Sequence, residues 1–128
     1  MTLKLLTPHL KTDDLDRTIR FYTEVLGFTV GATWPDNRPT DCMLDHGSVH
    51  ISFTVDPNGW YPAPCLAGQL WIEVEDVMTL HSKVAGKVAI EWGPELYPYG
   101  RYEFAIKDCN GYLLAFSEPL RGRLRNHS

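Results

Sequence analysis

The chain carries an internal repeat, and that repeat limits its possible folds more than any single element does. Thr7 lies seven residues before Asp14, and Gln69 lies seven before Asp76. Further on, DHGSVHISF (Asp45 to Phe53) aligns without a gap on DCNGYLLAF (Asp108 to Phe116). The two offsets are nearly equal: 62 residues from Asp14 to Asp76 and 63 from Asp45 to Asp108. Two matched segments in register predict one supersecondary plan used twice, over about residues 3–55 and 69–118.

Hydrophobic spacing gives the plan. Leu3 to Lys11 alternates as a strand. Asp13-Asp14 then offers an N-cap before the helical spacing of Leu15, Ile19, Tyr22 and Leu26, with Gly27 placed to reverse the chain. Phe28 to Trp34, Cys42 to Leu44 and Val49 to Val55 read as three further strands, the last two joined by a turn at Asp45 to Ser48. The second copy predicts a strand at Gln69 to Val74 and a helix over Val77 to Val84 started by Asp76. Its strands follow at Ala89 to Trp92, Arg101 to Lys107 and Tyr112 to Ser117. Each copy is therefore βαβββ, and the fold class is α+β, with DPNGWYPAPCLAG as the join of two half-modules.

Successive strand residues point to opposite faces, so alternation sorts the side chains. Leu6, Leu10, Ile51, Phe53, Ile72, Leu114 and Phe116 fall on a face suited to a core. Thr7, His9, Lys11, His50, Ser52, Thr54, Gln69, Trp71, Glu73, Ala115 and Ser117 fall on the other. An antiparallel sheet commonly has one wet face, so polarity alone is consistent with solvent. The large Trp71 and the two histidines suit a cleft better.

At 128 residues, 44% hydrophobic and 22% charged, the chain has the size and composition of one globular domain, expected over residues 1–120. The net charge of -4 disfavours nucleic acid as a partner, because phosphate binding needs a clustered basic surface. Arg121, Arg123 and Arg125 form the one basic cluster, in a tail (121–128) that reads as a frayed terminus. No apolar run suits a membrane span or secretory signal, which makes a cytoplasmic location the default expectation. Cys42, Cys65 and Cys109 are odd in number, sit in no pairing motif and read as free thiols.

The segment TPHLKTDDLDRTIRFYTEVLGF resembles the opening strand and helix of the glyoxalase, bleomycin-resistance and dioxygenase (vicinal-oxygen-chelate) superfamily. GPELYPYGRYEFAIKDCNGYLLAFSEP is similar to that family's closing hairpin. The resemblance implies open, curled mixed sheets around a cleft, lying within one chain or across a homodimer. Metal-dependent members place ligands at positions that correspond to Thr7, Ser52, Gln69 and Ala115. A divalent cation needs imidazole or carboxylate donors, so no metal and no cofactor are expected at these residues. His9, His50 and Glu73 share the same face and are the alternative, shifted donor set.

The resemblance is nearest to the metal-free, bleomycin-resistance-like branch, which implies sequestration of a small molecule, cationic or aromatic, by a homodimer. Under that reading Trp34, Trp60, Trp71 and Tyr99 supply stacking, and His9, His50, Arg101 and Glu103 fix orientation. Ser52 and Gln69, at two of the corresponding ligand positions, mark where the small molecule should sit. The alternative is an enzyme of the same superfamily (lyase, isomerase or dioxygenase), with a relocated metal or with His50 acting as acid–base catalyst beside Glu73 or Glu103. A third class is a structural or regulatory dimer whose cleft is filled by its own side chains. Each named residue also has a plainer role. The histidines are ordinary on a wet strand face, Arg101 and Glu103 can pair across solvent, and Asp45 and Asp108 suit carboxylates accepting turn N–H groups.

Overall fold

The computed structural model describes residues 1–120. It divides into two compact units, Met1–Cys65 and Leu66–Ser128. The tail expected to fray, 121–128, lies outside the described residues.

The first unit runs β1 (His9–Lys11), α1 (Leu15–Glu24), β2 (Thr29–Trp34), β3 (Asp41–His46) and β4 (Val49–Thr54). The second runs β5 (Leu70–Glu73), α2 (Val77–Val84), β6 (Ile90–Tyr97), β7 (Arg101–Lys107) and β8 (Leu113–Pro119). Each is the βαβββ module expected from the repeat. The sheets are four-stranded, in the orders β1-β4-β3-β2 and β5-β8-β7-β6. In each, the first strand lies parallel to the last and the remaining pairs are antiparallel. The repeat extends to the register: His9 stands opposite Ser52 in one parallel pair and Trp71 opposite Ala115 in the other.

The helices start where the sequence places their caps. The Asp14 carboxylate accepts the Arg17 N–H at 2.9 Å, and Asp76 accepts that of Thr79 at 3.1 Å. Helix α1 packs on β2 and β3, and α2 on β6, β7 and β8. The first core is aromatic: the fully buried Tyr22 meets Phe53 at 5.2 Å and Phe28 at 5.4 Å between ring centroids. In the second, Phe104 meets Phe116 and the His81 ring, each at 5.3 Å, and Val77 and Val84 of α2 are fully buried.

Two strands differ from the sequence expectation. The first was expected from Leu3, yet pairing begins with the Pro8 carbonyl, which accepts the Ser52 N–H at 2.9 Å. Pro8 has no N–H to return, so the ladder stops there and Leu3, Leu5 and Leu6 are exposed rather than core. Strand β6 instead runs five residues past its expected end at Trp92, through Gly93-Pro94. Register shifts on both sides of Trp92 absorb the proline within an edge strand. Gly93 is required there. It sits at φ 79°, and a Cβ would lie 2.3 Å from the Glu103 carbonyl oxygen.

Replacing Phe53 by alanine should cost about 3–5 kcal/mol, because it empties the centre of the first core. Asp14→Ala should cost about 1 kcal/mol through the lost cap. Urea unfolding checks both; equal losses would show that the Phe53 ring is not the centre of that core.

Candidate functional site

In the second unit the polar sheet face is built in two rows set by register. Trp71, Ala115 and Ala105 form one, and Glu73, Ser117 and Glu103 the other. Because the two alanines end at Cβ, the Trp71 indole has a clear path across β8. Its Nε1–H donates to Glu103 Oε2 at 2.7 Å. Tyr99, from the turn before β7, donates its hydroxyl to Glu103 Oε1 at 2.6 Å. Arg101 lies over the indole, 4.7 Å from the ring centroid, and donates to Ser117 Oγ and Glu73 Oε1 at 3.0 Å each. Tyr97 stacks on Tyr99 with centroids 5.7 Å apart and planes within 8°, and meets Trp92 edge-on.

Glu103 anchors this platform and is only 2% exposed. Burial alone would push its carboxyl up. Hydrogen bonds from Ser117, Tyr99 and Trp71, together with the Arg101 charge, more than reverse that and hold it below its ordinary range. Tyr99 is moved the other way, to about 12, chiefly because its hydroxyl is committed to the Glu103 carboxylate, with burial adding to the effect. Arg101 and Glu103 therefore do not form a solvent pair. The guanidinium's salt-bridge partner is Glu73.

In the first unit the matching rows are His9, Ser52, Met43 and Lys11, Thr54, Asp41. The His9 Nδ1 lies 2.7 Å from Ser52 Oγ, and its Nε2 lies 3.5 Å from Asp41. Ser52 gives its one hydroxyl hydrogen to the Cys42 carbonyl at 2.9 Å, so Nδ1 is the donor to Oγ. Asp41 precedes Glu103 by 62 residues, so each copy sets a ring nitrogen against a carboxylate at the same place. Beside this row, Asp56 accepts the Trp60 and Tyr61 N–H groups at 3.0 and 2.7 Å, and Lys11 donates to the Tyr61 carbonyl at 3.0 Å. The Tyr61 bond leads the interactions that hold the Asp56 carboxyl below its ordinary value against burial. The pinned turn displays Trp60, which is 76% exposed.

Of the ten residues singled out from sequence, the structure joins Trp71, Tyr99, Arg101 and Glu103 in one network and His9 with Ser52 in another. Trp34 ends β2, Trp60 tips the Asp56 turn, and Gln69 stands exposed just before β5. His50 binds Asp45, with Nδ1 to Oδ1 at 2.6 Å. The two turn aspartates are thus not alike. Asp108 accepts the Asn110 and Tyr112 N–H groups as a turn residue should, whereas the Asp45 carboxylate is turned to an imidazole. Sequence reasoning missed Asp41 and Ser117 as site residues. The 62-residue offset from Glu103 was the available signal for the first.

The four inherited ligand positions do not suit a divalent cation. Ala115 has no donor atom, and Ser52 Oγ is already committed to Cys42 and His9. In the shifted set His9, His50 and Glu73 each hold a different partner. Among the described residues no group of three or more His, Cys, Asp or Glu could hold a metal ion. The three cysteines are free; Cys42 is buried, which raises its thiol to about 11, and Cys65 is exposed. No helix among the described residues is long and apolar enough to cross a membrane.

Comparison with known proteins follows the architecture. The family model of the Glyoxalase/Bleomycin resistance protein/Dioxygenase superfamily matches residues 5–116. Among solved structures, TioX from Micromonospora sp. ML1 superposes with a TM-score of 0.76 at 21% identity, covering 91% of this chain and 99% of its own. TnmS3, an antibiotic binding protein from Streptomyces sp. CB03234, does so at 0.75 and 18%, covering 93% and 98%. Virulence protein STM3117 from Salmonella typhimurium gives 0.71 and 25%, covering 93% and 99%. No curated protein sequence matches.

Glu103→Gln tests the anchor. Removing the negative charge should bring the Tyr99 phenol down from about 12 toward its ordinary range, read from phenolate absorbance in an alkaline titration. The acid limb of stability should also flatten. With its folded pKa lowered, Glu103 contributes stability that is fully present above the ordinary glutamate value of 4.5 and is lost as pH falls through the folded one. An unchanged Tyr99 titration would show that the two groups are not bonded.

Proposed function

Because the chain belongs to the Glyoxalase/Bleomycin resistance protein/Dioxygenase superfamily, we propose that it binds a small aromatic molecule, without a metal and without turning it over, in the manner of bleomycin-resistance-type sequestration. The observation that carries this reading is the platform held by Glu103. One buried carboxylate fixes the indole of Trp71 and the phenol of Tyr99, while Trp71 stays 54% exposed. Side chains already locked by hydrogen bonds lose little entropy when a ligand stacks on them, so most of the gain from stacking, about 0.5–1.5 kcal/mol per ring pair, reaches the affinity. The fold shared with an antibiotic binding protein is consistent with that use.

Within the platform an aromatic ligand is favoured over a cationic one. Arg101 covers one side of the indole, and both carboxylates, Glu73 and Glu103, already face the guanidinium or hydrogen-bond donors. A ring stacked on Trp71 meets no such competition. His9 and Ser52 offer a polar contact in the first unit, as Trp60 on its pinned turn offers an apolar one. Metal independence is supported by the donor chemistry at Ser52 and Ala115. A homodimer is part of the same reading: each sheet leaves two edge strands, and Leu3, Leu5, Leu6, Val30 and Trp34 present apolar surface.

The test is a thermal-shift and tryptophan-fluorescence screen of planar aromatic compounds, followed by titration of each hit. A ligand at 100 times its Kd should stabilise the protein by about 2.7 kcal/mol and be recovered chemically unchanged. Trp71→Ala should weaken it at least tenfold, about 1.4 kcal/mol. Stoichiometric zinc, nickel, iron or manganese in protein purified without chelator would overturn the metal-free reading. Sedimentation as a monomer alone at tens of micromolar would overturn the dimer.

A further inference from the structure

We propose that Asp45 and His50 form a proton-accepting subsite in the first unit, which takes the acidic hydroxyl of a phenolic or enolic ligand. The proposal rests on the small-molecule reading above and names the chemical class that the polar face of the first unit would select.

The geometry fixes the proton. A carboxylate can only accept, so the 2.6 Å contact requires the hydrogen on His50 Nδ1, and the ring's Nε2 is left as its basic end. Asp45 and His50 are direct cross-strand partners on β3 and β4, so the sheet register itself holds the pair. His50 lies on the face that carries His9 and Ser52, and its side chain retains 28% exposure, open enough to be reached.

A second strand is shaped around the same carboxylate. The register of β2 against β3 slips between Val30 and Ala32, which makes Gly31 the extra residue of a bulge. A Cβ at Gly31 would lie 2.1 Å from Asp45 Oδ2. Only a residue without a side chain leaves that oxygen where it is. The bulge therefore makes room for the carboxylate in the position from which it holds His50.

The repeat shows that the fold does not need this arrangement. In the second unit the same cross-strand position pairs Lys107 with Leu113, and Asp108 closes the turn beyond them by accepting backbone N–H groups. The other titratable groups on this face are already engaged: His9 with Ser52 and Asp41, and Lys11 with Asp56 and the Tyr61 carbonyl. Strand β2 presents none. The step is a simple transfer. The ligand's O–H bond breaks, its electron pair stays on oxygen, and the proton moves to Nε2, to return when the ligand leaves.

The probe is 4-nitrophenol, whose anion absorbs visible light and whose neutral form does not, in buffer below its pKa. Adding the full-length protein should raise anion absorbance to a plateau, in step with quenching of tryptophan fluorescence. His50→Gln should cut the absorbance gain at least tenfold. Gly31→Ala, which keeps every titratable group and displaces only the Asp45 carboxylate, should cut it severalfold while leaving the unfolding midpoint near that of the parent. The methyl ether 4-nitroanisole, with no proton to give, should bind at least tenfold more weakly than 4-nitrophenol. Quenching without anion formation, an undiminished signal in His50→Gln, or failure of 4-nitrophenol to bind while other aromatics bind would each overturn the subsite. Failure of every aromatic compound to quench would instead overturn the binding reading on which it rests.

Discussion

Each unit is organised by one pairing, the parallel contact of its first strand with its last. Parallel neighbours cannot be joined by a tight turn and need a crossover of about a dozen residues or more, which a helix and two further strands supply in each unit. The pairing also decides which side chains meet. With His9 opposite Ser52 and Trp71 opposite Ala115, the next row on the same face runs Lys11, Thr54, Asp41 in one unit and Glu73, Ser117, Glu103 in the other. A carboxylate on the third strand is thereby brought within reach of a ring on the first, in both copies.

The two copies use that shared geometry differently. Trp71 meets Glu103 at 2.7 Å through an indole N–H that keeps its hydrogen at every accessible pH, so the contact is permanent. His9 stands farther from its carboxylate, with Nε2 3.5 Å from Asp41, while its Nδ1 donates to Ser52. The partners on the fourth strand follow suit. Ala115 gives the indole room, whereas Ser52 spends its hydroxyl hydrogen on the Cys42 carbonyl and so dictates which nitrogen of His9 is the donor. One unit carries a fixed aromatic platform, and the other a face of imidazole, hydroxyl and carboxylate groups.

Local order was legible in the sequence, because caps and spacing act over a few residues. Asp76 and the run from Val77 to Val84 give the bounds of α2 directly. Leu3, Leu5 and Leu6 misled because alternation reports a side chain's preference and not the presence of a neighbouring strand; Pro8 ended the ladder before them. Gly93-Pro94 misled in the other direction, since proline argues against a strand unless a bulge accommodates it. At the site, alternation found Trp71, Arg101 and Glu103, which share a face with their neighbours in sequence. It could not find Ser117 as the link between Arg101 and Glu103, because that link crosses strands. Asp45 was assigned a turn role from its gapless alignment with Asp108, but the register sets Asp45 opposite His50 and Lys107 opposite Leu113, so its counterpart is Lys107 and the second hairpin carries one extra turn residue.

Where the two copies differ is informative about function. The positions that keep the same character in both copies do structural work: Asp14 and Asp76 cap helices, and Phe53 and Phe116 fill cores. The positions that differ lie on the polar face: His9 against Trp71, Lys11 against Glu73, His50 against Leu113, Ser52 against Ala115. Lys11 and Glu73 even carry opposite charge, each neutralised by a partner outside its own row, Asp56 in one case and Arg101 in the other. Both copies meet the same folding requirement with these different residues, so the fold cannot be what selects them. Divergence confined to the polar face, with caps and cores kept, is what selection acting on that face rather than on the fold leaves behind.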